Sequence, residues 1–225
     1  MRYIIIFFLV FSLFGCSPKS LENFVEKSLI STSGNKAPNN FKIANLETMR
    51  DYVFDMPDYS ISLPSAKEED FRLMNGWEGA TFNNRDLVLY PGQYGIYHIH
   101  VTTSVYKYEE RERAIENNDV KYLRSKIKID NTDKLYIKKF GKEQYSCTVM
   151  EYIDNQHPNN KYSGYQCYKP NIKKTMVKKI HIRLTYSKSP EYPKETLNLI
   201  KDYTYEDLQQ RAKRMLDSLY IKDGW

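Results

Sequence analysis

The alternation of apolar and polar residues predicts a chain built mainly from β-strands. The clearest alternation covers residues 93–106, where one face carries Tyr97, Ile99, Val101 and Val105. The other face of this strand is polar, with His98, His100, Thr102 and Ser104. This pattern is typical of a sheet with one buried face. Shorter alternating runs predict further strands at 59–63, 134–140, 145–153, 163–168 and 177–187, with weaker candidates at 70–76 and 86–90.

Apolar residues at helical spacing predict helices between and after these strands. The last helix covers residues 205–221, and Thr204 with Asp207 resembles a capping box at its start. Its predicted buried stripe consists of Leu208, Ala212, Met215 and Leu219. A short helix is also predicted to end before Pro57, from the spacing of Leu46, Met49 and Val53.

Residues 108–130 differ in character from the strands around them. A run of Glu and Arg residues comes first, and Val120, Leu123 and Ile127 follow at helical spacing. Such runs usually form solvated helical faces with paired charges, although this one could also be a docking surface. Together with the strands, this helical insertion predicts an α+β fold with a mainly antiparallel sheet and a C-terminal amphipathic helix.

The N-terminal residues predict where the protein works. Residues 3–14 form an apolar run that follows Arg2, and twelve residues are too few for a membrane span, which needs about 20. The run therefore predicts a secretory signal peptide at 1–15. Residues 31–40 are rich in Ser, Gly, Asn and Pro, which favours a linker, and a short helix is predicted at 21–30. We assign 16–40 to a tether and 41–225 to a single domain.

The tetrapeptide Leu13-Phe14-Gly15-Cys16 resembles the lipobox of bacterial lipoproteins. The resemblance implies cleavage before Cys16 and lipidation of that residue, which would hold the protein at a membrane by its acyl chains. Ser17, rather than aspartate, implies the outer membrane by the rule of enteric bacteria. The expected location is the bacterial cell envelope, with the soluble domain facing the periplasm.

The two other cysteines are predicted to pair. An envelope compartment is oxidising, so a disulfide would persist there. Cys147 and Cys167 each lie ten residues from His157, which is the centre of a loop dense in turn-forming residues. A hairpin folded about this centre places the two cysteines opposite one another.

The composition of the chain argues against nucleic acid as a partner and favours a protein partner. The chain has 34 basic and 28 acidic residues, interspersed along its length, which is not the concentrated charge of a nucleic-acid-binding protein. It also has 20 tyrosines, which favour strands and protein interfaces. The predicted hairpin carries candidate partner-binding residues at Tyr152, His157, Tyr162, Tyr165 and Tyr168. The same tyrosines would alternatively pack the sheet.

Catalytic signatures are absent from the sequence. It has no nucleophile elbow and no glycine-rich phosphate loop, so we expect no enzymatic activity and no cofactor. If strands 93–106 and 177–187 are neighbours, His98, His100 and His181 would approach one another as a three-histidine zinc site. Histidines on half-exposed strands are more often surface residues, so our expectation is that no metal is bound.

Two further resemblances concern fold and class of protein. The order of elements is weakly similar to PsbP/Mog1-like domains, including an early strand that ends at Pro64 and a closing helix. Tyrosine-rich envelope lipoproteins without catalytic motifs resemble, as a class, the periplasmic immunity proteins that neutralise type VI secretion effectors. We therefore expect a lipid-anchored protein that binds another protein. The more specific form of this expectation is an immunity protein. The alternatives are a structural or assembly lipoprotein and a metal-dependent enzyme.

Overall fold

The computed structural model describes residues 40–43, 52–64, 76–82, 85–91, 94–127, 134–153 and 159–225. The predicted signal peptide and residues 16–39 of the predicted tether, with Cys16 and the helix predicted at 21–30, lie outside these residues. So do residues 70–75 of the weaker strand candidate at 70–76. Residue 40, assigned to the tether, begins a strand, so the folded part starts one residue earlier than predicted. Residues 36–225 belong to one compact unit. In the described part of the chain, no helix is long and apolar enough to cross a membrane.

Strands dominate the described residues. In chain order they are β1 (Asn40–Ile43), β2 (Val53–Asp55), β3 (Tyr59–Ser62), β4 (Trp77–Phe82), β5 (Asp86–Pro91), β6 (Tyr97–Lys107), β7 (Lys134–Phe140), β8 (Tyr145–Ile153), β9 (Asn160–Pro170), β10 (Met176–Ser187) and β11 (Tyr220–Ile221). The helices are α1 (Glu110–Glu116), α2 (Val120–Lys126), α3 (Lys194–Leu199) and α4 (Tyr205–Ser218).

Two antiparallel sheets organise these strands. The large sheet has eight strands in the order β1-β4-β5-β6-β10-β9-β8-β7, and the small one has the order β11-β3-β2. Every described strand pair is antiparallel. The predicted α+β class with a mainly antiparallel sheet and a C-terminal helix is therefore confirmed.

One face of the large sheet, which we call the core face, packs against α4 and the small sheet. The predicted stripe of α4 is fully buried there, as are the alternating apolar residues of β6 and β10: Tyr97, Ile99, Val101, Ile180, Ile182 and Leu184. Because α4 and the small sheet occupy this side, the alternate side chains of the same strands form the opposite face, which we call the outer face.

A buried polar network fixes α4 on the core face. The Asp207 carboxylate accepts hydrogen bonds from the Tyr97 hydroxyl (2.8 Å) and from Arg211 Nε. The Arg211 guanidinium is 2% exposed and lies over the rings of Tyr97 and Tyr203 at 5.8 and 5.4 Å. Thr204 caps α4 by accepting from the Asp207 N–H, as predicted for the first half of the capping box. The helix is thus tied to β6 by hydrogen bonds as well as by apolar contact.

The helical insertion covers one end of the outer face. The sequence predicts this insertion, and the structure places α1 and α2 within it. Ala114, Ile115 and Leu123 from the two helices form a second core with Tyr168 and Val177 of the sheet. The remainder of the outer face has no helix over it among the described residues.

Three sequence predictions need correction. Residues 53–55 form strand β2 and not the end of a helix, because Phe54 points inward while Val53 and Asp55 point outward in pairing with β3. The sequence predicts Val105 on the buried face, but this residue is 42% exposed. It lies opposite Lys178, past the last apolar residue that β6 contributes to the core. The last helix ends at Ser218, and residues 220–221 pair with β3 as β11.

Candidate functional site

The part of the outer face that α1 and α2 leave uncovered brings together most of the candidate residues from the sequence. Strands β6, β10, β9 and β8 run side by side across it. We call this region the open patch and define it by the outer-face residues His98, His100, Tyr152, Tyr162, Gly164, His181 and Arg183.

The disulfide-linked hairpin supplies one side of the open patch. Cys147 and Cys167 are directly opposed in the β8–β9 register and joined by a disulfide, with Cα atoms 4.0 Å apart. This is the pairing predicted from their equal distances to His157. His157 itself lies outside the described residues. Both cysteines point into the core, so the bond holds the hairpin together from below the patch.

Two of the predicted partner-binding tyrosines form a stacked pair on this hairpin. Tyr152 and Tyr162 are cross-strand partners, and their rings are 4.7 Å apart at an angle of 13°. Both side chains are half-buried. The Tyr205 hydroxyl of α4 donates to the Tyr162 carbonyl at 2.8 Å, which anchors the strand at this point. A tyrosine held in one rotamer loses little conformational entropy when a partner binds.

The other two predicted tyrosines are packing residues. Tyr165 is 6% exposed on the core face and meets Phe140 edge-on at 5.7 Å. Tyr168 is 5% exposed under the helical insertion, where its hydroxyl contacts Arg111, Gln166 and Thr148. Since neither ring is accessible, Tyr162 and Tyr152 remain the aromatic candidates.

All three histidines of the zinc hypothesis lie on the open patch. Strands β6 and β10 are neighbours, as the zinc hypothesis requires, and His100 lies opposite Arg183. Within the described residues, however, no three His, Cys, Asp or Glu side chains are grouped to hold a metal ion. Arg183 Nη2 lies 3.5 Å from His100 Nδ1, so the guanidinium of β10 lies next to the imidazole of β6.

The surroundings of His181 keep its imidazole neutral. Burial is the main reason that its pKa falls to about 4, and the charges of Lys179, Arg183 and His100 lower it further. Burial and Arg183 also lower the pKa of His100, while Asp86 partly offsets them. His98 is exposed, with its ring centre 6.1 Å from that of Tyr90.

A glycine lies in the middle of the open patch. Gly164 is paired with Met150 on β8 and with Arg183 on β10. A Cβ atom at this position would be only 3.3 Å from His181 Nε2, so the imidazole edge already occupies the space that a side chain would need. Gly164 is buried beneath it. A glycine inside a strand is a signal for such a close approach, which sequence reasoning could have used.

A concavity of about 220 Å³ lies at the covered end of the sheet. Its carboxylates are Glu112, Glu116 and Glu143. Each is already paired: Glu112 accepts from the Tyr106 hydroxyl and the Glu109 N–H, Glu116 pairs with Lys174, and Glu143 with Lys169. These internal contacts satisfy the acidic groups, and the open patch is the stronger candidate.

Comparisons with known proteins assign no family to this chain. No protein-family model matches it, and no curated protein matches it. A solved structure from Bacteroides thetaiotaomicron VPI-5482 is 10% identical with a TM-score of 0.36, covering 84% of this chain and 50% of that one. The chain thus spans half the length of that protein, and a likeness this low carries no argument about fold or function.

The disulfide is expected to contribute substantially to stability. A double Cys147→Ala/Cys167→Ala variant should lose about 3 kcal/mol in the free energy of unfolding, because a loop of about 20 residues is freed in the unfolded chain. Urea denaturation without reductant measures this loss, and dithiothreitol should cause a similar loss in the unchanged protein. A double variant as stable as the unchanged protein would contradict the expectation.

Proposed function

We propose that this chain is a lipid-anchored protein of the bacterial cell envelope that binds a protein partner through the open patch. The observation that carries the proposal is the stacked Tyr152–Tyr162 pair on a disulfide-linked hairpin, next to a sheet face that no described helix covers. Aromatic residues held rigidly at a surface are typical of interface hot spots. The proposed activity is binding, with no catalytic step and no cofactor.

The charge of the open patch favours a partner with an acidic surface. The patch presents the exposed Arg183 next to imidazoles that can donate or accept hydrogen bonds. An acidic group of the partner would complement the Arg183 guanidinium and would be attracted towards it. In the finer version of the proposal, the partner is an envelope-acting effector delivered by type VI secretion, and this protein neutralises it as an immunity protein.

The proposed anchor can be tested at Cys16. A Cys16→Ser variant should lack acyl chains, since lipidation requires the thiol of that residue. Growth with labelled palmitate followed by detergent fractionation measures both the modification and the location. Equal labelling of the variant and the unchanged protein would exclude lipidation at Cys16.

The proposed binding surface can be tested at Tyr162. Once a partner is captured from envelope extract and identified by cross-linking, Tyr162→Ala should weaken its binding by about 2 kcal/mol or more, which is the hot-spot range. Calorimetry measures the affinity, and circular dichroism checks that the variant is folded.

Two variants of the helical insertion serve as controls for Tyr162→Ala. Tyr122→Ala removes a half-buried tyrosine of α2, and Glu110→Ala/Arg113→Ala removes exposed charges of α1. Both should change the affinity by less than about 0.5 kcal/mol, as expected for surface substitutions outside an interface. If these controls lose affinity while Tyr162→Ala does not, the insertion is the docking surface. If no protein binds, the structural or assembly role becomes the better explanation.

A further inference from the structure

The turn between β9 and β10 presents an apolar side chain to solvent. Its residues 171–175 connect two of the longest described strands, of 11 and 12 residues. Ile172 in this turn has a relative exposure of 103%, so no other described residue covers it. An apolar side chain in this position is free to contact an external surface. We call these residues the 171–175 turn.

Hydrogen bonds within the 171–175 turn fix its conformation. The Asn171 side-chain oxygen accepts from the Thr175 N–H at 2.8 Å, and the Lys174 N–H donates to the Asn171 carbonyl at 2.9 Å. Lys174 is also tied to α1 by an ion pair of 2.7 Å with Glu116. The turn is therefore preorganised, and binding at Ile172 would cost little conformational entropy.

Exposed lysines lie around Ile172. Lys173 follows it in the chain, Lys107 ends β6 beside the start of β10, and Lys142 lies in the β7–β8 turn at the same end of the sheet. Within the described part of the chain, none of these three lysines forms an ion pair. Their charges are available to an external anion.

The carboxylates at this end are engaged inside the protein. Glu116, Glu143 and Asp223 each lie within 3.0 Å of a lysine nitrogen. Glu109 is the N-cap residue of α1, and Glu110 accepts from a tyrosine hydroxyl of α2. Both belong to the start of a helix that turns back over the outer face. The surface next to Ile172 thus offers positive charge.

An exposed tryptophan lies towards the same end. Trp225 is 52% exposed, and its ring centre is 5.6 Å from the ammonium nitrogen of Lys178, near the start of β10. Tryptophan side chains are enriched where a membrane meets water, because an apolar ring with one polar N–H suits that boundary.

The direction of β1 relates this end of the sheet to the proposed anchor. Strands β6, β5, β4 and β1 alternate in direction, so the start of β1 at Asn40 is its end nearer to the 171–175 turn. The 24 residues from Cys16 to the residue before β1 can span at most about 80 Å. An anchor at Cys16 would therefore allow the 171–175 turn to reach the bilayer.

We propose that the 171–175 turn contacts the membrane surface, where Ile172 enters the boundary between headgroups and acyl chains and Lys173 binds lipid phosphates. Apolar side chains next to lysines are typical of contacts with a membrane surface. One such contact is weak by itself, but a tether holds the domain at a high local concentration near the bilayer, so a weak contact is sufficient. The proposal rests on the proposed function only for the presence of an anchor.

This contact would leave the stacked tyrosines available to a protein partner. Tyr162 lies near the start of β9, whereas the 171–175 turn follows its end at Pro170. The eight residues between Tyr162 and Pro170 correspond to about 26 Å of strand. A domain that rests on the 171–175 turn would thus hold this part of the open patch away from the lipid.

A fluorescent label at position 172 tests the contact. The full Cys16→Ser chain with an N-terminal hexahistidine tag is held on phosphatidylcholine vesicles that contain nickel-chelating lipid and about one third phosphatidylglycerol. The tag supplies a tether whether or not Cys16 is acylated in cells. An environment-sensitive label on Ile172→Cys should shift its emission to the blue and be quenched by spin-labelled lipid.

Ile153→Cys is the matched control for the label. Ile153 is 54% exposed and ends β8 at the other end of the sheet. Cys147 and Cys167 are fully buried in their disulfide, so neither reacts with the label. We expect several-fold more quenching at position 172 than at position 153. Equal quenching at the two positions, or none at position 172, would overturn the proposal.

A charge reversal tests the role of Lys173. Lys173→Glu in the labelled Ile172→Cys chain should reduce the quenching by about half or more, because it replaces attraction to the anionic lipid by repulsion. Lys194→Glu changes the net charge by the same amount at an exposed lysine of α3 and should leave the quenching unchanged. Equal losses in the two variants would show that only the overall charge matters, which would contradict the role of Lys173.

The outcomes separate this proposal from the proposed function. If the label at position 172 stays in water on vesicles but is covered by an identified partner, the turn is a protein contact and the membrane proposal is wrong. If the label enters the bilayer but the unchanged protein from cells carries no acyl chain on Cys16, the membrane contact stands and the proposed anchor is wrong.

Discussion

The packing of α4 against the core face is the interaction on which the rest of this structure depends. The helix covers the sheet with an apolar stripe, and the buried contacts among Tyr97, Asp207 and Arg211 fix its position. An ion pair removed from water is costly unless its remaining groups are satisfied, and here a hydroxyl and two aromatic rings complete the surroundings. The face of the large sheet that meets α4 is the face that carries the buried apolar side chains of β6 and β10.

The open patch is a consequence of this packing. The core face is covered by α4 and the small sheet, and the insertion covers only one end of the outer face. Elsewhere on the outer face, His98 and Arg183 are exposed, and His100, Tyr152 and Tyr162 are half-buried. The disulfide and the hydrogen bond from Tyr205 to the Tyr162 carbonyl support the hairpin from the core side. A binding surface on such a sheet is preorganised, which lowers the entropic cost of association.

Features that follow from a local pattern of residues can be predicted from this sequence. The pairing of strands that are distant along the chain cannot. Alternation locates β6 and β10, and symmetry about His157 predicts the cysteine pair. From the sequence, β6 and β10 could only be assumed to be neighbours, because no local pattern of residues shows which strands pair with each other. Strands β2 and β11 have three and two residues, which is too short for periodicity to show. The close approach of His181 to Gly164 could not be predicted either, because the two residues lie on neighbouring strands, β10 and β9.

The central claim is that the open patch, and not another surface, meets the partner. Hydroxyl-radical footprinting of the full chain with and without an identified partner tests it most directly, because oxidisable side chains lie on every surface to be compared. The account predicts reduced oxidation of Tyr152, Tyr162 and His98 in the complex, with Tyr122 of α2 and the exposed Trp225 unchanged. Protection of Tyr122 or Trp225 without protection of Tyr162 would contradict it.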